Sequence, residues 1–291
     1  MSGTEDTIRA FILRHRLPDS FRDIARDTYL PLIDWLDKKT ETPLLLGING
    51  CQGSGKSTLA DFIAAVQAMR GRRVAVLSID DFYLTRRERA QLAQSIHPLL
   101  QTRGVPGTHD LALALQTVDS LLSLSPGDTT QLPRFDKSSD DRAPLSQWPT
   151  IEGPIDMVIL EGWCVGSRPQ SANELTTPVN TLEKNEDADG RWRQFVNDSL
   201  KNYQQLFERL HTMVMLKAPD FSCVYRWRLE QEQKLAALRP DGSGVMSAEE
   251  IARFIQHYQR LTEANLVALP SHADVILELN HQHGIDRAQY S

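Results

Sequence analysis

The sequence has few cysteines, no excess of positive charge and no long apolar run. Its three cysteines, Cys51, Cys164 and Cys223, are odd in number and far apart, which argues against a disulfide framework and indicates a reducing compartment. Lys and Arg number 32 against 38 Asp and Glu, whereas nucleic-acid binding needs a basic surface. No apolar run approaches the ~20 residues that span a bilayer, and the N-terminal segment lacks a signal-peptide pattern. We therefore expect a soluble, cytoplasmic protein that binds neither nucleic acid nor membrane.

The apolar residues of the chain alternate between strand and helix patterns. Short apolar runs with the length of buried strands occur at residues 44–48, 74–79, 157–160, 213–216 and 275–279. Helical patterns lie between several of them, at residues 58–69, 111–122 and 192–210. This alternation favours an α/β fold with a mostly parallel sheet.

The same patterns predict one main domain with additions. Residues 1–40 are expected to form a helical extension, with a break at Pro18, and residues 41–291 to form the main domain. Two polar segments, at about 123–155 and 166–190, interrupt the alternation and predict long loops or small insertions. For the second segment, disorder is an alternative.

One octapeptide fits the phosphate-binding pattern G-x-x-x-x-G-K-S: Gly50-Cys51-Gln52-Gly53-Ser54-Gly55-Lys56-Ser57. It stands between a predicted strand and a predicted helix, where the backbone N–H groups and the helix N-terminus can hold phosphate oxygens. We assign these residues and the following Thr58 to nucleotide binding. Lys56 is expected at the β- and γ-phosphates and Ser57 at Mg²⁺. No N-K-x-D stretch is present to recognise guanine, which argues against a regulatory GTPase.

Acidic residues follow two of the predicted strands. Asp80 and Asp81 come after the strand at 74–79, and Glu161 follows the strand at 157–160. Because ligands of open α/β sheets bind beyond the carboxyl ends of the strands, these acids are expected near the phosphates. We expect Glu161 to hold Mg²⁺ opposite Ser57. Strand alternation turns one of the two aspartates toward the γ-phosphate, where a carboxylate can act as general base; loop capping is the alternative role.

Several runs resemble known P-loop kinases. S-I-D-D-F-Y at 78–83 and V-I-L-E-G at 158–162 resemble segments of uridine kinases, pantothenate kinase and phosphoribulokinase. The closer resemblance is to the D-glycerate 3-kinases, through R-G-V-P-G-T-H-D at 103–110, P-R-F-D-K-S at 133–138 and E-G-W-C-V-G at 161–166. It covers about residues 44–280. The resemblance implies a three-layer P-loop NTPase fold with a five-stranded parallel sheet of order 2-3-1-4-5, ATP and Mg²⁺ as cofactors, and Asp80 as the base beside the extra acid Asp81.

The resemblance also indicates where the acceptor and a lid should lie. A small hydroxy acid needs a forked guanidinium for its carboxylate and polar partners for its hydroxyls. Candidate substrate-binding residues are Arg103, His109, Asp110, Arg134, Lys137 and Arg142. A lid is expected at about 221–250, with Arg226 and Arg228 reaching ATP and a flexible turn at 240–244. For each arginine, an ordinary surface charge is the alternative.

Taken together, the motifs predict an ATP-dependent small-molecule kinase, and the resemblance implies one that converts D-glycerate to 3-phosphoglycerate. One alternative is a kinase of another small hydroxyl compound, such as uridine, pantothenate or ribulose phosphate. A second is a P-loop nucleotide-binding regulator that hydrolyses ATP slowly. The sequence leaves the oligomeric state open.

Overall fold

A computed structural model describes residues 2–238 and 246–291. The strands are β1 (Leu44–Gly50), β2 (Val74–Ser78), β3 (Thr129–Gln131), β4 (Phe135–Asp136), β5 (Asp141–Arg142), β6 (Thr150–Glu152), β7 (Met157–Gly162), β8 (Thr212–Lys217), β9 (Val275–Leu279) and β10 (Ile285–Tyr290). The α-helices are α1 (Ser2–His15), α2 (Phe21–Ile24), α3 (Leu30–Leu36), α4 (Lys56–Met69), α5 (Arg86–Ser95), α6 (Leu111–Leu122), α7 (Thr181–Glu186), α8 (Arg191–Phe207), α9 (Ser222–Leu238) and α10 (Ala248–Ala268).

The central sheet has the order β10-β9-β8-β1-β7-β2. Its parallel part, β2-β7-β1-β8-β9, has the order 2-3-1-4-5 when those strands are numbered along the chain, so the predicted order is confirmed. The prediction of only five strands is wrong, because β10 pairs antiparallel with β9 as a sixth strand. Most of its residues are exposed, and an edge strand of this kind shows no apolar run.

The register of the central strands determines which residues lie side by side at their carboxyl ends. Every residue of β1 and of β7 is buried, as expected for strands covered on both faces. Ile48 of β1 lies opposite Glu161 of β7, and Ser78 of β2 lies opposite the same glutamate. The segments that follow β1 and β2 therefore emerge on either side of Glu161.

Two apolar clusters cover the two faces of the sheet. One includes residues of α1, α3, α4 and α9, and the other includes residues of α6, α8 and α10. In the first, the ring of Phe11 from α1 packs edge-on against Phe62 of α4, with centroids 5.1 Å apart. Burying a phenylalanine side chain contributes about 1.5–3 kcal/mol to the free energy of folding. The predicted N-terminal helices are present, with the chain turning between α1 and α2 beside Pro18.

Both polar segments are ordered. Residues 123–155 contain two small antiparallel pairs, β3 with β6 and β4 with β5. Residues 166–190 contain α7, and the fully buried Glu183 of that helix pairs with Arg260 of α10 at 2.6 Å. The alternative of disorder for 166–190 is therefore wrong, because a buried ion pair holds the segment against the core. Within the described ranges, no helix is both long and apolar enough to cross a membrane.

Candidate active site

A cleft of about 260 Å³ lies at the carboxyl ends of the parallel strands, where ligands of such sheets bind. Lys56, Ser57, Asp80 and Glu161 are among its lining residues. A larger groove, of about 540 Å³, lies between α10 and the 166–179 segment and contains no P-loop residue. The smaller cleft is therefore the candidate active site.

The P-loop runs from β1 into the first turn of α4. Gly53 has a φ of +81°, and a Cβ at this position would lie 2.6 Å from the Cβ of Trp227 in α9. Glycine is thus required both by the backbone conformation and by the close approach of α9. Cys51 is buried, and burial raises the pKa of its thiol to about 12. The thiol therefore stays protonated at neutral pH.

Ser57 and Glu161 both line the cleft and are in direct contact. The Ser57 hydroxyl donates a hydrogen bond to Oε1 of Glu161 at 2.9 Å. Glu161 is 4% exposed, and its Oε2 is buried without a hydrogen-bond partner among the described residues. A buried carboxylate oxygen with no donor is costly unless a cation binds it. A hydroxyl and a carboxylate are also oxygen ligands that suit Mg²⁺, so these residues fit the ion expected from the sequence.

Asp80 lies in the cleft with both carboxylate oxygens bonded. The Tyr83 hydroxyl donates to Oδ1 at 2.6 Å, and Lys137 Nζ donates to Oδ2 at 2.7 Å. Burial alone would raise the pKa of Asp80, but the charges of Lys137 and Lys56 outweigh it and hold that pKa well below its usual range. Asp80 is therefore an ionised carboxylate at neutral pH.

Asp81 points to a different set of partners. Its carboxylate accepts hydrogen bonds from Arg134 at 3.2 Å and from the Phe135 backbone N–H at 3.3 Å. Burial raises its pKa, against the charge of Arg134. The two aspartates diverge as predicted, but strand alternation is not the reason. Strand β2 ends at Ser78, and both acids lie in a 3₁₀ turn over Ile79–Phe82, whose three residues per turn separate neighbouring side chains.

The predicted acceptor residues separate into two groups. Arg103 and Lys137 line the cleft, whereas His109, Asp110, Arg134 and Arg142 hold the surrounding loops. Arg142 donates to Asp110 Oδ2 at 2.9 Å, and Asp110 also caps α6 by accepting from the Leu113 N–H.

His109 belongs to the second group and is almost fully buried. Its Nδ1 lies 2.7 Å from the hydroxyl of Tyr203, which accepts a hydrogen bond from the Gly107 N–H. Burial lowers the pKa of His109 to about 4. The imidazole is therefore neutral at pH 7, and it packs against the ring of Tyr83 with centroids 4.8 Å apart.

The two predicted lid arginines also differ. Arg228 lines the cleft and pairs with the buried Glu232. Arg226 instead donates to His281 Nδ1 at 2.6 Å, in the turn between β9 and β10. The predicted flexible turn at 240–244 lies outside the described residues. Helix α10 begins after it with a capping box between Ser247 and Glu250.

Comparison with known proteins relates this geometry to a family. A family model described as methylmalonyl Co-A mutase-associated GTPase MeaB matches residues 20–83, a range that includes β1, the P-loop and β2. The chain is 35% identical over 273 residues to the uncharacterized kinase mug58 of Schizosaccharomyces pombe, a match that covers 89% of this chain and 96% of that protein. The solved structure of a D-glycerate 3-kinase from Cryptococcus neoformans is 30% identical, with a TM-score of 0.72 over 90% of this chain and 96% of that one. The chain belongs to the D-glycerate 3-kinase family of P-loop kinases.

A plant relative supports the same assignment. The chloroplastic D-glycerate 3-kinase of Arabidopsis thaliana is 34% identical over 235 residues, which are 78% of this chain and 48% of that protein. The chain therefore spans about half the length of that relative. As a member of this family, the protein is a small-molecule kinase.

In this family member, two aromatic residues to which sequence analysis gave no role in the site also line the cleft. Tyr258 of α10 donates to the carbonyl of Arg103 at 3.1 Å, and Trp163 Nε1 donates to the carbonyl of Gly104 at 2.9 Å. Gly104 has a φ of +133°, and a Cβ there would lie 2.3 Å from the Tyr258 hydroxyl. These contacts hold the loop that carries Arg103. In the sequence, Tyr258 is simply one more apolar residue of an amphipathic helix, which gives no sign of its place in the cleft.

Proposed function

We propose that this kinase transfers the γ-phosphoryl group of ATP to the 3-hydroxyl of D-glycerate in the presence of Mg²⁺. The observation that carries the proposal is the meeting, in one small cleft, of a P-loop, an ionised aspartate and two cationic residues from the 103–110 and 133–138 runs. The D-glycerate 3-kinases among its relatives support this choice of acceptor.

The nucleotide would bind along the P-loop. The N-terminal end of α4 and Lys56 provide positive charge for the β- and γ-phosphates. Arg228 on α9 is placed to approach the same region, and we propose that the segment around α9 acts as a lid. Ser57 and Glu161 would hold Mg²⁺, which neutralises negative charge on the phosphate oxygens.

The charge of the cleft favours an anionic acceptor. Lys56, Arg103, Lys137 and Arg228 line it, against the carboxylates of Asp80 and Glu161. Arg103 can bind a carboxylate through two parallel hydrogen bonds, which a lysine cannot do. An uncharged nucleoside such as uridine would leave this guanidinium without an anion.

Asp80 would accept the proton of the attacking hydroxyl. As the acceptor oxygen forms its bond to the γ-phosphorus, the bond from that phosphorus to the bridging oxygen of ADP breaks. The Tyr83 hydroxyl donates a hydrogen bond to Oδ1 of Asp80 and so holds the carboxylate in place. The low pKa of Asp80 keeps its carboxylate ionised and able to accept a proton. In a loose transition state, the acceptor hydroxyl transfers its proton to this carboxylate late, after the bond to ADP has largely broken.

A turnover assay with alternative acceptors tests the proposal. ADP release is measured with ATP and Mg²⁺ for D-glycerate, L-glycerate, uridine, pantothenate and ribulose 5-phosphate, and ³¹P NMR identifies the product. We expect the highest kcat/KM with D-glycerate and formation of 3-phosphoglycerate. Lys56→Ala is expected to abolish turnover without unfolding the protein. ADP release that no acceptor stimulates would favour a regulator with slow ATPase activity, and a preference for another acceptor would overturn the assignment of D-glycerate.

A further inference from the structure

We propose that Arg89 and Asp140 position Arg103 to bind the carboxylate of the acceptor, an inference that rests on the proposed function. Neither Arg89 nor Asp140 belongs to a motif that the sequence analysis used. Both act at a distance from the reacting atoms, because Arg103 alone of the three lines the cleft.

Arg89 is a buried cation at the centre of three loops. It lies on α5, its side chain is 1% exposed, and its guanidinium donates to three backbone carbonyls. These belong to Leu84 at 3.2 Å, Gln101 at 2.9 Å and Asp140 at 2.7 Å. The segment after Asp80, the segment before Arg103 and the turn between β4 and β5 are thus held by one side chain.

Asp140 connects this buried cation to Arg103. One carboxylate oxygen lies 2.9 Å from Arg89 NH2, and the other accepts a hydrogen bond from Arg103 NH1. Asp140 has a φ of +55°, a left-handed conformation that is unusual outside glycine and that needs support from its surroundings. Arg89 supplies that support by bonding both the carbonyl and the carboxylate of Asp140.

The bond to Asp140 leaves part of Arg103 available to a ligand. Among the described residues, its Nε and NH2 groups have no hydrogen-bond partner. The ring of Phe135 lies 5.6 Å from the guanidinium carbon of Arg103 and 5.9 Å from that of Arg89. Arg103 is therefore held on one edge while the other edge can donate two bonds to a carboxylate. Holding a flexible arginine in advance lowers the entropy lost on binding.

Steady-state kinetics of three variants test this arrangement. Asp140→Asn keeps the size of the side chain and removes its charge, and Arg89→Met removes the buried cation. Each is expected to raise the KM for D-glycerate roughly 10-fold, the factor expected from a modest loss of binding free energy, with the KM for ATP unchanged. Arg87→Met is the matched control: Arg87 lies on the same helix, is exposed and has no hydrogen bond or ion pair within the described part of the chain.

A double-mutant cycle separates positioning from a general structural effect. In an Arg103→Met background, Asp140→Asn is expected to cause no further change in the KM for D-glycerate. If wild-type enzyme phosphorylates D-glycerate but Asp140→Asn leaves its KM unchanged, or has its full effect without Arg103, the positioning role is wrong while the proposed function stands. If wild-type enzyme does not phosphorylate D-glycerate, the proposed function fails and this inference fails with it. Because Asp140→Asn is a small change at a half-buried site, the test does not depend on Arg89→Met folding.

Discussion

The hydroxyl of Ser57 lies 2.9 Å from a carboxylate oxygen of Glu161 and joins the first turn of α4 to β7. The contact follows from the register of the sheet, in which Ile48 and Ser78 flank Glu161 on the neighbouring strands. The chain thus brings together a hydroxyl and a carboxylate from residues more than a hundred positions apart. They are the pair that we propose as ligands of Mg²⁺.

Both members of this pair are expected to affect the Mg²⁺ requirement. Ser57→Ala and Glu161→Gln should each shift the Mg²⁺ titration of kcat to higher concentration, because each removes a ligand or its charge. The measurement is initial rate against free Mg²⁺ at saturating ATP and acceptor. Glu152→Gln, at an exposed position on β6, is the control and should leave the titration unchanged. Superimposable curves for wild type and both site variants would mean that other residues hold the ion.

The adjacent aspartates are expected to differ in their effect on catalysis. Asp80→Asn is nearly isosteric and should lower kcat by roughly 10²–10⁴, the usual contribution of a general base, while nucleotide affinity is retained. Asp81→Asn should reduce kcat much less, because Asp81 bonds to Arg134 and Phe135 instead of lining the cleft. Both variants are measured with saturating ATP and acceptor. A dead Asp81→Asn enzyme beside an active Asp80→Asn enzyme would reverse the two roles.

The buried His109 is expected to make stability depend on pH. Its pKa is about 4 in the folded chain and about 6.5 when exposed, so between these values the unfolded state binds the proton first. The free energy of unfolding should therefore fall as the pH drops from about 6.5 toward 4, by an amount on the order of 3 kcal/mol. Urea denaturation across this range is the measurement. His109→Gln should flatten the slope, and the exposed His272→Gln should not; equal slopes in all three proteins would contradict the prediction.

The ion pair between Arg260 and Glu183 is expected to stabilise the 166–190 segment strongly. Arg260→Met leaves the buried carboxylate of Glu183 without its cation, which typically costs about 3–5 kcal/mol. Arg253 of the same helix pairs with Glu186 at 2.7 Å, but those side chains are 54% and 42% exposed. Arg253→Met is therefore the control, and it is expected to lower the free energy of unfolding by less than about 1 kcal/mol. Denaturant midpoints compare the two variants, and equal losses would show that burial does not set the strength of these pairs.

The sequence predicted the phosphate-binding loop from neighbouring residues and the α/β alternation from a pattern of apolar runs, both of which are visible along the chain. The order of the parallel strands was implied by the resemblance to P-loop kinases. The divergence of Asp80 and Asp81 was expected from strand alternation, whereas a 3₁₀ turn produces it. β10 was missed because an edge strand buries little and carries no apolar run. Tyr258 was missed because its helix has the ordinary apolar pattern of a core helix, and only its packing against Gly104 brings the hydroxyl to the cleft.

The sequence by itself therefore determined the chemistry of phosphate binding, since one octapeptide contains the glycines, the lysine and the serine that it needs. Only the tertiary structure decided which of the other charged side chains line the cleft. Each of the four cations pairs with an aspartate from a distant segment, but only Arg103 and Lys137 line the cleft, whereas Arg134 and Arg142 do not. The physical reason is that an arginine pairs with whichever anion the fold brings within hydrogen-bonding distance. The distance from each guanidinium to the nearest carboxylate depends on how loops far apart in the chain pack together.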